Sequence, residues 1–226
     1  TGFRSPNVDD LSKVFESAPG LVIIPNPELK PEKTINTEIG VTRVFNKKSS
    51  WENSVFYTNF IDAIVTREYQ LNGQDSIYYD GTYSQVRANQ NAGEAFIYGF
   101  SSNFRSQCTD NLNLNLSMNY TYGRVKTDSS DYPLDHISPF MMRFQLSYNY
   151  KKFSSDLSVN YNGWKKLNNY YLNGEDNDQY ATAEGMPAWF TLNLRANYKI
   201  HMYLSLQGGI DNVFDTQYRT FASGIN

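Results

Sequence analysis

An all-β fold, built from antiparallel strands of a transmembrane barrel, is what the sequence predicts, and three observations predict it. Apolar and polar residues alternate strictly over long segments. The connections between these segments alternate between short and long. No stretch approaches the ~20 consecutive apolar residues that a helix needs to cross a bilayer, and mean hydropathy is −0.58. That polar average is compatible with a membrane barrel, whose strands show lipid only at every second residue while the other face stays polar.

Residues Asn111 to Tyr122 carry the clearest pattern. The even positions are Leu112, Leu114, Leu116, Met118, Tyr120 and Tyr122, whereas the odd ones are Asn, Ser or Thr. A period of two is a strand signal, and nothing in the segment repeats with a helical period. Similar alternation places strands at Phe140 to Tyr150, Asp156 to Asn162 and Phe190 to Tyr198. Further strands are expected over Thr34 to Phe45, Trp51 to Val65, Gln85 to Phe104 and Tyr203 to Phe214, about eight complete strands in all. Most are near the ~9–11 residues that cross a bilayer when tilted.

The turns after Phe45, Gln107, Tyr150 and Lys199 are short, whereas Phe3 to Lys33, Tyr69 to Ser84, Lys126 to Ser138 and Lys165 to Pro187 are long. Short periplasmic turns with long extracellular loops are the asymmetry of an outer-membrane barrel. Asn72-Gly73 and Asp80-Gly81 are hairpin-turn pairs and predict a small β extension within one long loop. Trp51, Tyr120, Tyr122, Tyr148, Tyr150, Trp164 and Tyr198 fall near strand ends, as an interfacial aromatic girdle would.

The net charge of −3 over 226 residues gives no basic surface for nucleic acid. The single cysteine, Cys108, excludes an intrachain disulfide. Thr1-Gly2-Phe3-Arg4 has neither the basic start nor the apolar core of an export signal, which is therefore expected upstream. There is no Gly-Xaa-Ser-Xaa-Gly elbow, phosphate loop or clustered His-Asp-Ser set, so no catalytic residue is assigned and the protein is not expected to be an enzyme. An outer-membrane barrel enzyme and a soluble β-rich binding module are the alternatives. The apolar stripes argue against the second, since a soluble sheet would leave them exposed.

No metal site or resident cofactor is predicted. His136 lies where a long loop re-enters a strand and His201 in a short turn; they fall on opposite membrane sides and cannot share a metal. Asp9-Asp10, Asp128 with Asp131, and Glu175-Asp176 with Asp178 lack the spacing of a calcium loop and are expected to be solvated. Arg143 and Arg195 fall on the polar, lumen-facing side, where an ion pair is expected for each.

Four segments resemble a known family. They are Asn26-Pro27-Glu28-Leu29-Lys30-Pro31-Glu32 ahead of Thr34 to Gly40, then Phe56 to Val65, then Asn91 to Phe100, and finally Asp211-Asn212-Val213-Phe214-Asp215 with Tyr218-Arg219. In this order they resemble the C-terminal part of a TonB-dependent receptor barrel, across essentially the whole chain. The resemblance implies a 22-stranded barrel with a plug, with the strands here at about the fourteenth to the twenty-first; the closing strand, plug and TonB box would lie outside this chain. Without them, unpaired strand edges would leave backbone groups unsatisfied in hydrocarbon.

Phe3-Arg4-Ser5-Pro6 and Asn26-Pro27-Glu28-Leu29 are further similar to the two boxes that flank an external loop of haem and haemoglobin receptors. Those receptors carry a haem-ligating His between the boxes, and Asn7 to Pro25 contains none. The resemblance thus implies an outer-membrane uptake receptor whose ligand meets the loop residues Arg4, Asp9, Asp10, Phe15 and Asn26 by packing, hydrogen bonds and charge. The implied cargo is an iron chelate, haem, cobalamin, or a glycan or peptide. The implied partners are outer-membrane lipid, TonB with its inner-membrane complex and, for glycan or peptide uptake, a surface lipoprotein.

Overall fold

The computed structural model describes residues 1–18, 20–91, 94–126, 131–134, 136–170 and 181–220. In chain order the elements are β1 (Gly2–Arg4), helix α1 (Val8–Ser12), β2 (Phe15–Ala18), β3 (Leu21–Ile24), β4 (Glu32–Asn46), β5 (Ser49–Ile61), β6 (Ile64–Glu68), β7 (Ser76–Tyr79) and β8 (Thr82–Asn91). There follow β9 (Glu94–Gln107), β10 (Leu112–Lys126), β11 (Asp131–Pro133), β12 (Met141–Tyr150), β13 (Phe153–Asn162), β14 (Lys165–Lys166), β15 (Gly185–Met186), β16 (Trp189–His201) and β17 (Leu204–Ile210). The chain folds as two compact units. One comprises Thr1–Thr37, Thr58–Ile97 and Gly123–Tyr132, and the other Glu38–Tyr57, Tyr98–Tyr122 and Pro133–Asn226.

The larger unit is built on one sheet in which β4, β5, β9, β10, β12, β13, β16 and β17 are successive hydrogen-bonded neighbours. These are the eight long strands that the alternation predicts. The sheet is open, because among the described residues β17 is bonded to β16 alone. The register explains why the two faces differ. Leu114, Leu146, Leu157, Leu194 and Ile210 stand in one row across five strands, and Leu116, Phe144, Val159 and Leu192 form the next apolar row. Between them runs the polar row Asn115, Gln145, Ser158 and Asn193. A slip of one residue would move each apolar set to the polar face, so the faces and the register specify one another.

Aromatic residues close the apolar face at both ends. Tyr150, Phe153 and Tyr198 form a row at the short-turn end, whereas Phe100 stacks on Tyr120 and Tyr98 meets Tyr122 toward the other. The same face carries one polar node. The Trp51 indole donates to Ser102 Oγ at 2.9 Å, and Ser102 Oγ donates to Asn53 Oδ1 at 2.8 Å. Mutual bonding makes these groups tolerable beside hydrocarbon. Gly99 is required by close approach, since a Cβ there would fall 2.1 Å from the Tyr120 carbonyl oxygen and 2.8 Å from the Phe56 ring.

The opposite face is hydrogen-bonded through side chains. Ser117 donates to Asn103 at 3.1 Å, Gln145 to Asp156 at 3.2 Å, and Ser147 also to Asp156. Arg195 pairs with Asp211 at 3.2 Å, the ion pair expected of a lumen arginine. Arg143 departs from that expectation: it is exposed and forms no ion pair among the described residues. Its register neighbours are Ser117 and Asn160, neither of them acidic.

Strands β10, β13 and β16 run three or four residues beyond their predicted extents, and three other predicted strands break or stop early. The strand expected over Trp51 to Val65 stops at Ile61, where Asp62 takes a left-handed φ of 55°, and β6 joins a different sheet. The strand expected over Gln85 to Phe104 is two, β8 in the small sheet and β9 in the large one. The strand expected over Tyr203 to Phe214 ends at Ile210. There Asn212, at φ 53°, accepts from the Thr216 amide and donates to the Thr216 carbonyl, both at 3.0 Å, while its own amide donates to Asn193 Oδ1. The Asp211 to Asp215 segment is thus a side-chain-locked turn. Of the acidic groups, Asp128, Glu175, Asp176 and Asp178 lie outside the described residues.

The face assignment predicts an asymmetry. In the full-length receptor, Leu116→Arg should destabilise the barrel by ~2–4 kcal/mol near the bilayer midplane, whereas Asn115→Arg should cost far less. Denaturant titration of the reconstituted protein measures both, and equal losses would refute the assignment.

Candidate functional site

The smaller unit holds every residue that the sequence proposes for ligand contact. Its centre is a five-stranded sheet in the order β2-β3-β8-β6, with β7 also on β8. β3 runs parallel to β8, pairing Leu21 to Ile24 with Gln85 to Ala88, and the other pairings are antiparallel. Val22, Ile24, Val86 and Ala88 form its core, and Tyr69, Ile77 and Tyr79 pack against them. This core is why two long connections fold as a sheet of their own rather than as irregular loops.

The predicted hairpin extension is present. Asn72 and Gly73 have φ of 53° and 80°, and Asp80 and Gly81 have 43° and 88°. Positive φ at both central positions is the geometry of tight two-residue hairpin turns. Asp80-Gly81 joins Tyr79 to Thr82 between β7 and β8.

Two asparagines on one face of β8 clamp the segment that precedes β4. Asn89 Nδ2 donates to Asp10 Oδ1 at 2.7 Å, its Oδ1 accepts from Thr66 Oγ1 at 2.6 Å, and its carbonyl accepts from Asn26 Nδ2 at 2.9 Å. The Asn26 amide in turn donates to the Asp10 carbonyl at 2.9 Å. Asn91 accepts from the Lys30 amide at 2.8 Å and donates to the carbonyls of Lys30 and Asp62 at 3.0 and 2.7 Å. A third node forms at buried Glu32, which takes Arg4 at 3.2 and 3.3 Å and the Ile64 amide at 2.9 Å.

The five candidate residues therefore divide. Asp10 and Asn26 hold the segment in place, and Asn26 is buried. Arg4 is half-exposed on its ion pair, and Asp9 is exposed with Lys13 Nζ 4.0 Å away. Phe15 is half-buried, with Lys13 Nζ 5.8 Å from its ring centroid. The sequence reading missed Glu32, Asn89 and Asn91. Glu32 and Asn91 fall inside the segments that carry the family resemblance, and the signal for Asn89 is compositional: asparagine is a poor strand former, and β8 carries it at alternate positions near its end.

His136 belongs to the other unit and is exposed at φ 60°. Cys108 is exposed in its short turn. Among the described residues, no three His, Cys, Asp or Glu side chains are grouped as metal ligands would be. No described helix is long and apolar enough to cross a membrane, which says nothing of crossing by strands.

An open antiparallel sheet with one apolar, aromatic-bordered face and one polar, cross-bonded face is that of an integral outer-membrane β-barrel protein. Comparison with known proteins makes the class specific. The family model described as TonB dependent receptor-like, beta-barrel, matches residues 1–213, and the chain belongs to that family. Among curated relatives, the probable hemoglobin and hemoglobin-haptoglobin-binding protein 4 of Haemophilus influenzae is 29% identical over 98% of this chain and 23% of its own length. The hemoglobin-haptoglobin utilization protein B of Neisseria meningitidis serogroup A is 25% identical over 99% and 30%. The chain thus spans less than a third of these relatives.

Solved structures share the fold. The copper transporter OprC superposes with a TM-score of 0.69 at 20% identity, covering 97% of this chain and 32% of its own. A mutant of the ferric enterobactin receptor of Pseudomonas aeruginosa gives 0.68 at 17% identity, covering 99% and 33%.

Asn89→Ala would remove the side-chain bonds to Asp10 and Thr66, at a cost of about 1–3 kcal/mol, and would loosen Asp10, whose carbonyl accepts from the Asn26 amide. Amide hydrogen exchange should accelerate over Asn7 to Ser12 and at Asn26, whereas exchange in β12 and β13 stays unchanged. Unchanged protection at Asn26 would contradict the clamp.

Proposed function

We propose that the receptor to which this chain belongs imports iron across the outer membrane as haem taken from a haemoglobin-type protein. In this reading the long loops bind the ligand outside the cell. TonB and its inner-membrane complex then drive release through the plug, and this half of the barrel supplies anchor, passage wall and part of the ligand mouth. The carrying observation is the folded platform of the smaller unit, since loops held on a rigid scaffold are where binding residues concentrate. Five relatives at 25–29% identity bear names that state haemoglobin or haemoglobin-haptoglobin binding, in three cases, or haemoglobin-haptoglobin utilization, in two, which supports the substrate class.

The chemistry of the platform agrees with a macromolecular ligand better than with iron coordination in the loop. Asn7 to Pro25 contains no His, Cys, Met or Tyr. It does present exposed Val8, Asp9 and Leu11 on α1, with Val14 also exposed. A mixed apolar and charged surface of this kind suits contact with another protein. We assign direct contact to Arg4, Asp9 and Phe15 and positioning to Asp10 and Asn26.

A second reading is uptake of an iron chelate that brings its own ligands. It is favoured by the same lack of iron-binding side chains between Asn7 and Pro25.

A strain that depends on this receptor for iron separates the two readings. Supplied with haemoglobin as sole iron source it should grow only when TonB is present. The Asp9→Ala, Phe15→Ala double variant, at equal surface abundance, should lose on the order of tenfold in haemoglobin affinity, about 1.4 kcal/mol. Growth on ferric chelates but not on haemoglobin would replace the first reading by the second.

A further inference from the structure

The short turns carry a charge pattern that uptake does not use. β12 and β13 are joined by Lys151-Lys152, and β16 and β17 by the turn after His201. These hairpins are neighbours in the sheet, and the Lys199 amide donates to the Lys152 carbonyl at 2.9 Å. Three lysines, Lys151, Lys152 and Lys199, therefore lie at the same end of two adjacent hairpins. All three are exposed, and none forms an ion pair with a described residue.

Their surroundings leave the charge uncompensated. No Asp or Glu occurs from Asn149 to Ser155 or from Ala196 to Ile210. The acidic residue of the nearby β9–β10 turn, Asp110, is held by Lys48 at 2.7 Å. Its pKa is lowered by the Lys48 hydrogen bond and charge, so it stays ionised and committed to that partner. Lys151 and Lys152 border the apolar face, whereas Lys199 is one residue out of phase with Tyr198 and falls on the polar face. Lys151 Nζ lies 5.1 Å from the Tyr150 ring centroid, and Lys152 Nζ reaches across to the Ile200 carbonyl at 3.2 Å. Tyr150, Phe153 and Tyr198 form the aromatic row immediately inside.

Cations one step outside an aromatic belt lie at the depth of lipid phosphates, where lysine stems cover apolar surface and place their charge in the headgroup layer. We propose that the hairpin end at Lys151-Lys152 binds the headgroup of an anionic phospholipid in the inner leaflet of the outer membrane. The lipid phosphate sits beside the Lys151 and Lys152 ammonium groups, and the acyl chains lie along the aromatic row and the leucine row above it. The turn between β4 and β5 serves as an internal contrast, because Lys48 there is already neutralised by Asp110. The proposal rests on the short turns facing the periplasm and is independent of the cargo that the receptor imports.

The test is lipid retention by the full-length receptor, purified folded and placed in nanodiscs of mixed phosphatidylglycerol and phosphatidylethanolamine. Native mass spectrometry then counts the lipids that remain bound. The wild type should retain phosphatidylglycerol preferentially and release it as ionic strength rises. At roughly fivefold in partition for each lysine near the surface, the Lys151→Gln, Lys152→Gln variant should lose on the order of 25-fold. The Lys47→Gln, Lys48→Gln variant should keep the preference. Absence of preference in the wild type, retention that ignores salt, or equal loss in both variants would overturn the proposal. The Lys151→Gln single variant, expected to lose about fivefold, replaces the double variant if that one fails to fold.

Discussion

Backbone hydrogen bonding in hydrocarbon is the constraint on which the rest of the structure depends. Inside a bilayer each N–H and C=O must find a partner in the protein, so a spanning strand must pair along its whole length with its neighbours. Once the pairing is fixed, side chains have no freedom in which face they occupy. The rows through Leu114 and Leu116 and the polar row through Asn115 follow from this one requirement. So does the treatment of exceptions. Asn53 and Ser102 stand on the apolar face and are tolerable there because they bond to one another and to Trp51.

The long strands were legible because a barrel strand writes its environment into its sequence at every residue. Leu112 to Tyr122 reads as a strand without help from tertiary structure. The boundaries were less legible. Phe60-Ile61-Asp62-Ala63-Ile64-Val65 is nearly continuous in apolar character, and only the left-handed backbone at Asp62 marks where one sheet ends and another begins. Propensity does not register this, since an aspartate inside an apolar run can equally be a lumen-facing position. Tyr203 to Phe214 was over-extended for a related reason. Val213 and Phe214 look strand-like, yet the Asn212 side chain bonds its own backbone four residues on and ends the strand.

The candidate site was legible in part. The two boxes around Arg4 and Asn26 pointed to the correct segment, and the hairpin at Asp80-Gly81 was readable from turn chemistry. What holds the segment was not readable, because Asn89 and Asn91 lie more than sixty residues from Asn26 and Lys30 and act through space. Long-range side-chain-to-backbone bonds leave no local pattern. The consequence for function is a division of labour: buried polar groups fix the loop, and exposed ones remain for a ligand. Asp10 and Asp9 are adjacent in sequence yet fall on opposite sides of that division.

The central claim is that adjacent residues of one strand see lipid and lumen in turn, in phase with the neighbouring strand. Spin labels placed singly along Leu112 to Tyr122 and Met141 to Tyr150, after Cys108→Ser, measure it directly in the reconstituted receptor. Collision rates with oxygen, which concentrates in lipid, should peak at every even position of both strands, with Leu116 and Phe144 peaking together. Oxygen accessibility without a two-residue period, or peaks in the two strands that fall out of step, would contradict the account.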